Sequence, residues 1–182
     1  LRRLVRELQP DIIIGDRRDL PPDAREASDI VTPEQYMPHV APTRDGKPVR
    51  WEACHTLSGS WGYNRDANAW KDPGQLIGLL VDCVSLGGNL LMNVAPTARG
   101  AFDLRSIRSL DVYQQWMHHN ARSIHDAGPS PYQAPHGCRF TQRGDRLYLH
   151  VQHWPFRHLH IAGLGGKVSY AQFLHDGSEV RW

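Results

Sequence analysis

Three carboxylates and two aromatic rings have the types and spacing for chemistry in this chain. Glu52 lies in a short apolar run, "WEACHT", which leads into a Gly/Ser loop, Ser58 to Asn64, carrying Trp61 and Tyr63. Carboxylates bind hydroxyls and aromatic rings stack on pyranose faces, so this combination suits a sugar. A strand end with a carboxylate, followed by an aromatic loop, is also how the mouth of an α/β barrel reads. Upstream, "DIIIGDRRD" ends an apolar run in Asp16 and Arg17, again where such barrels place functional groups. Glu34 follows in "TPEQY". Each residue also has a purely structural reading. Asp16 and Arg17 can form an ion pair at a strand end, and Glu34 can complement a helix dipole from the first turn. Trp61 and Tyr63 can fold their loop onto the core.

The elements that must position these residues follow from the pattern. Leu1, Leu4, Val5 and Leu8 recur at helical spacing, and Pro10 stops that helix. Three isoleucines in Asp11–Asp16 predict a doubly buried parallel strand. Thr32 as N-cap and Pro33 at the first helical position predict a helix start. "TRDGKP" predicts a hairpin turn, and Val49–Thr56 a strand. Gln75–Leu86 is an amphipathic helix with Leu76, Leu79, Leu80 and Val84 on one stripe, closed by Gly87 and Gly88. "NLLMNV" is then a buried strand. Arg105–His125 is a helix with Ile107, Leu110, Tyr113, Trp116 and Met117 on its apolar face. The proline-rich "AGPSPYQAP" reads as a linker. Beyond it the period changes to two, around an "RGD" hairpin turn.

Composition narrows the function. There are 21 Lys plus Arg against 19 Asp plus Glu, which gives no electrostatic case for a nucleic-acid or membrane partner. No run approaches the length of a transmembrane helix. Cys54, Cys83 and Cys138 are far apart and odd in number, which argues against a disulfide framework or a zinc site. His158 and His160 would share one strand face, but no third ligand stands at a metal-binding spacing. The chain opens inside a helical pattern, so it reads as a fragment of a longer protein.

"PDIIIGDR", "TPEQY", "WEACHT", "SWGYNRD" and "LLVDCVSLGGNLLMNVAPTARG", in this order, resemble the α-L-fucosidases of glycoside hydrolase family 29. "LYLHVQHWP" and "FLHDGSEVRW" look like the start of that family's C-terminal β-sandwich. The resemblance implies an α/β fold: the C-terminal part of a (β/α)8-like (TIM) barrel over residues 1–128, a linker over 129–137, and a partial antiparallel β-sandwich domain over 138–182. It implies exo-hydrolysis of terminal α-L-fucose with retention, which uses two carboxyl groups about 5–5.5 Å apart. The family's nucleophile, an Asp, would lie upstream of Leu1, so this piece would lack a complete site. The resemblance places the acid/base at Glu34, with Glu52 as the competitor. Arg17 matches a sugar-pocket arginine, although Gly15 stands where the family motif has Asn. Trp61 matches an aromatic that closes the pocket around the sugar's methyl group. Fucosylated glycans or glycoconjugates are the implied substrates and no metal or organic cofactor is implied; the residues leave the compartment open, and the resemblance alone favours a periplasmic or secreted setting. The rival reading is a non-catalytic sugar-binding or structural remnant of the same fold.

Overall fold

The computed structural model describes residues 2–15 and 28–182. Helix α1 (Arg2–Leu8) precedes strands β1 (Ile30–Val31), β2 (Thr43–Arg44), β3 (Lys47–Pro48) and β4 (Arg50–Thr56). Helix α2 (Pro73–Ser85), strand β5 (Asn89–Asn93) and helix α3 (Leu104–Asn120) follow. A 3-10 turn (Ala121–Ser123) then leads to strands β6 (Cys138–Arg143) and β7 (Arg146–Val151). The chain is a mixed α/β fold.

Its centre is a parallel sheet in the order β1-β4-β5. The crossover from β4 to β5 runs through α2, as parallel pairing requires. Asp72 and Gln75 close a capping box at the start of α2, and Pro73 occupies its first turn. At its other end Gly87 N–H donates to Val84 O and Gly88 N–H to Cys83 O. This is a Schellman motif, with Gly87 at φ 76°. The two glycines differ in what they do. A Cβ on Gly88 would stand 2.2 Å from the ring of Trp51, which is only 2% exposed. Gly88→Ala is therefore expected to destabilise the fold by about 1–3 kcal/mol or more, read as a lowered denaturation midpoint.

The face of β4 bearing Trp51 and Ala53 packs on Cys83 of α2, with Leu90 and Met37 alongside. Val81 and Val84, on another side of the helix, pack with Ile124. So α2 buries Leu76, Val81, Cys83 and Val84, while Leu79 and Leu80 are only half-buried. The single predicted stripe is corrected because neighbours cover the helix on more than one side. In α3 the buried positions are Ser106 and Ser109, and Ile107 is 40% exposed. Small hydroxyl residues, not the predicted isoleucine, take the buried positions of this helix.

Two more predicted elements differ. Thr32-Pro33-Glu34 starts no helix. Ile30, Val31 and Glu34 pair in parallel with Arg50, Trp51 and Cys54, all at one register. Cys54 N–H donates to Pro33 O, and Gln35 N–H to Cys54 O, so the neighbouring strand satisfies this backbone. Among the described residues, the isoleucine run is held to its neighbour through Gly15, which bridges Ile30 in parallel, and through Asp29 N–H, which donates to Ile14 O. Ile14 is buried, but Ile12 and Ile13 are exposed, so the run is not doubly covered.

Both hairpin expectations match. Asp45 and Gly46 carry positive φ (49° and 73°) between β2 and β3, the geometry of a type I′ turn. Gly144 at φ 58° turns β6 into β7. Beyond β7, Gln172 and Glu179 form one isolated antiparallel bridge. His158 and His160 lie in non-strand segments, so they share no strand face.

The β6–β7 hairpin is docked on the helices. Arg139 Nε lies 2.8 Å from Asp82 of α2, and Gln152 donates to the same carboxylate at 3.0 Å. Thr141 Oγ1 donates to Ser123 O at 2.7 Å and lies 2.9 Å from His150 Nε2. The hydroxyl proton is used on Ser123, so His150 Nε2 carries the hydrogen in their contact. Burial lowers the His150 pKa from 6.5 to about 4. The unfolded imidazole takes up its proton near pH 6.5, whereas the folded one resists until about pH 4. Stability is thus full above pH 6.5 and falls toward pH 4, by on the order of 3 kcal/mol. The denaturation midpoint of the native protein is expected to fall between pH 6.5 and pH 4, and distinctly less in His150→Gln. An equal fall in both would contradict this assignment.

Candidate active site

The C-terminal ends of the parallel strands gather at one edge. Glu34 is in register with Cys54, and Thr56 at the end of β4 is in register with Asn93 at the end of β5. Glu52 pairs with Asn89, deeper in the sheet. Register partners share a face, and side chains alternate along a strand. Glu34, Cys54, Glu52 and Thr56 therefore lie on one face, opposite Trp51 and Ala53. Glu34 is at the edge and exposed. Glu52 is half-buried and two residues, roughly 7 Å, deeper than the Glu34 level.

Gln35 leaves the strand at φ 62°, in the left-handed region that non-glycine residues rarely adopt. Its amide Nε2 donates to Thr56 Oγ1 at 3.0 Å, and the Thr56 hydroxyl donates to Ser58 O. Lys71 Nζ donates to Thr56 O at 2.7 Å. This chain of contacts links the Glu34 turn to the start of the aromatic loop. An unusual backbone angle directly after a candidate acid is the kind of local strain found where a side chain must be aimed.

The loop is fixed at several points. Asn93 Nδ2 donates to Trp61 O at 2.8 Å. Tyr63 O–H donates to Asp103, the N-cap of α3, at 3.3 Å. Arg105 donates to the carbonyls of Ala67 and Arg65 and to both oxygens of Asp103. Its guanidinium stands 4.4 Å over the Trp70 ring. Bonds from Arg105 hold the Asp103 carboxyl far below the usual range. A shallow depression between this loop and the sheet is lined by Ser58, Ser60, Tyr63, Asn64 and Asn93.

His55 on the opposite face is buried, and neither ring nitrogen has a hydrogen-bond partner among the described residues. Burial, and then the Lys71 charge, lower its pKa and keep it neutral. Burial also lowers Lys71. Burial, then the charge of Asp82, push the Cys83 thiol up to about 12, with Glu52 adding a smaller contribution. All three cysteines are buried thiols.

Of the predicted site residues, Glu34 and the backbone of Trp61 lie toward the same strand-end edge, Glu52 lies below it, and Arg17, with Asp16, falls outside the described residues. Gln35, Thr56, Asn93 and the Asp103–Arg105 pair were not singled out from sequence. Asn93 could have been, as a polar residue ending an apolar strand, which is the signal that marked Glu52. Among the described residues, no three His, Cys, Asp or Glu side chains converge to hold a metal ion. Among them no helix is long and apolar enough to cross a membrane.

The model for the α-L-fucosidase family matches residues 1–122. The tissue α-L-fucosidase of Rattus norvegicus is 26% identical over 154 residues, covering 81% of this chain and 32% of that enzyme. The α-L-fucosidase of Branchiostoma floridae is 32% identical over 114 residues, covering 58% of this chain and 25% of its own length. Among solved structures, α-L-fucosidase isoenzyme 1 from Paenibacillus thiaminolyticus superposes with a TM-score of 0.87 at 37% identity. That match covers 98% of this chain and 44% of the bacterial one. An α-L-fucosidase from a Vibrio strain gives 0.73 at 32% identity, over 85% of this chain and 26% of its own. The chain spans about a third of the rat relative's length and under half of the Paenibacillus structure's.

Proposed function

This chain belongs to the α-L-fucosidase family, and on that premise we propose that it supplies the acid/base and part of the sugar pocket of a retaining exo-α-L-fucosidase. The observation that supports this reading best is that Glu34, in register with Cys54, and Asn93, which bonds the Trp61 carbonyl, both lie toward the C-terminal edge of the parallel sheet, where barrel enzymes carry their chemistry. In this reading residues 1–128 are the later part of a (β/α)8-like barrel, residues 129–137 a linker, and residues 138–182 part of an antiparallel β-sandwich. The docking of β6 on α2 is an interface between the two.

The chemistry is a double displacement. An upstream Asp attacks the anomeric carbon and the glycosidic bond breaks, while Glu34 protonates the departing oxygen. Glu34 then takes a proton from the water that attacks the glycosyl-enzyme ester, releasing fucose with its configuration kept. The strained turn at Gln35 aims the Glu34 carboxyl. Glu52 and Arg17 bind sugar hydroxyls. Trp61 forms an apolar wall beside the 6-methyl group, rewarding CH3 and leaving a CH2OH poorly solvated. Terminal fucose on glycans or glycoconjugates is the substrate.

The test compares an aryl α-L-fucoside with the α-L-galactoside, which adds one hydroxyl to that methyl. The full-length enzyme is expected to prefer the fucoside, and Trp61→Ala to lose roughly 1–3 kcal/mol of that discrimination. An equal loss for both sugars would reduce Trp61 to a loop anchor. An intact enzyme that binds fucosides without cleaving them would support the non-catalytic remnant instead.

A further inference from the structure

We infer that Asn93 is a specificity-positioning residue, holding the Trp61 wall against the sugar's methyl group through the Trp61 carbonyl. The inference rests on the reading of Trp61 given above. Trp61 is 39% exposed, so burial fixes its ring far less than it fixes Trp51 at 2%. Gly59 and Gly62 flank it in open space, since a Cβ on either would meet nothing within 4 Å. Such a loop has backbone freedom that must be removed if the ring is to stand at a defined distance from a methyl group. Other bonds act elsewhere along the loop. The Ser58–Trp70 bridge and the bond from Lys71 N–H to Leu57 O close the base of the loop. Arg105 grips Arg65 and Ala67, and Tyr63 reaches Asp103. The bond from Asn93 Nδ2 at 2.8 Å ends on the Trp61 residue itself. Asn93 occupies a strand end paired with Thr56, and Thr56 accepts from Gln35 beside Glu34. One short path therefore ties the wall to the turn that carries the proposed acid, so that substrate recognition and proton transfer share a frame.

The experiment uses the full-length enzyme carrying Asn93→Ala, Trp61→Ala or both. It has two readouts: the rate of tryptic cleavage after Arg65, and the ratio of kcat/KM for aryl α-L-fucoside over α-L-galactoside. Asn93→Ala is expected to quicken cleavage after Arg65 several-fold and to cut the ratio several-fold. In the Trp61→Ala background it is expected to leave the ratio unchanged, because its influence passes through that ring. Unchanged cleavage overturns the anchor. A ratio cut by the same factor with and without the Trp61 ring, or an equal loss on both sugars, overturns the positioning role. A wild-type enzyme without preference between the sugars would sink the functional reading of Trp61, and with it the positioning role, while cleavage would still judge the anchor. Should the alanine variant not fold, Asn93→Asp keeps the shape, removes the donor, and carries the same expectations and overturning results.

Discussion

Residues 1–182 purified alone are expected to release no p-nitrophenol from its α-L-fucoside above the buffer rate. Retention uses two carboxyl groups about 5–5.5 Å apart, one attacking and one protonating. In the proposed arrangement this chain holds the second and an upstream Asp is the first. Without a nucleophile no glycosyl-enzyme forms, and positioning the acid alone cannot replace it. The isolated piece should also be poorly stable. Leu91, on the Glu34 face of the sheet, is 45% exposed, as are Leu4, Leu8 and Ile13 at 54%, 76% and 57%. Apolar side chains so open favour association over a lone folded state. Steady turnover by the 182-residue chain would refute the proposed division of the site.

In the full-length enzyme, Glu34→Ala is expected to lose turnover of a natural fucoside by about 10²–10⁴-fold, while an activated aryl fucoside loses much less in its first step. A sugar alcohol is a poor leaving group and needs the proton; an aryl oxide departs without it. Glu52→Ala should lower both substrates together. The geometry separates the two residues. Glu34 stands at the strand-end edge beside the strained Gln35 turn, and Glu52 lies roughly 7 Å deeper, paired with Asn89. A group at that depth can bind a hydroxyl, or shape the sheet, without reaching the leaving oxygen. If Glu52→Ala shows the leaving-group dependence and Glu34→Ala does not, the roles are exchanged.

The helices, both hairpins and the strands β4 and β5 were legible in the sequence because their signals are local. Asp72-Pro73 and Gly87-Gly88 bracket α2, and Asp45-Gly46 and Gly144 supply positive φ where the turns need it. What the sequence hid depends on neighbours. Thr32-Pro33-Glu34 has the composition of a helix start, yet β4 offers its backbone a ladder and the segment takes it. Ser106 and Ser109 look like surface residues, but tertiary neighbours bury them. The isoleucine run reads as doubly covered, and only Ile14 is. In the candidate site, Glu34, Glu52 and Trp61 were found as residue types, without their depths. The left-handed Gln35 carries no sequence signal, because nothing in a glutamine announces a positive φ. The loop clamp from Asn93 and Arg105 joins residues tens of positions apart and needed the fold to be seen.

The central claim, that Glu34 protonates the leaving group and later deprotonates water, is tested most directly by adding azide to the full-length Glu34→Ala enzyme with an aryl fucoside. Azide attacks the glycosyl-enzyme ester without needing a base, so it bypasses the missing carboxylate. The expected result is restored turnover and an α-L-fucosyl azide, with configuration retained. No rescue, a β-linked azide, or a retained azide from Glu52→Ala in place of Glu34→Ala would contradict the assignment.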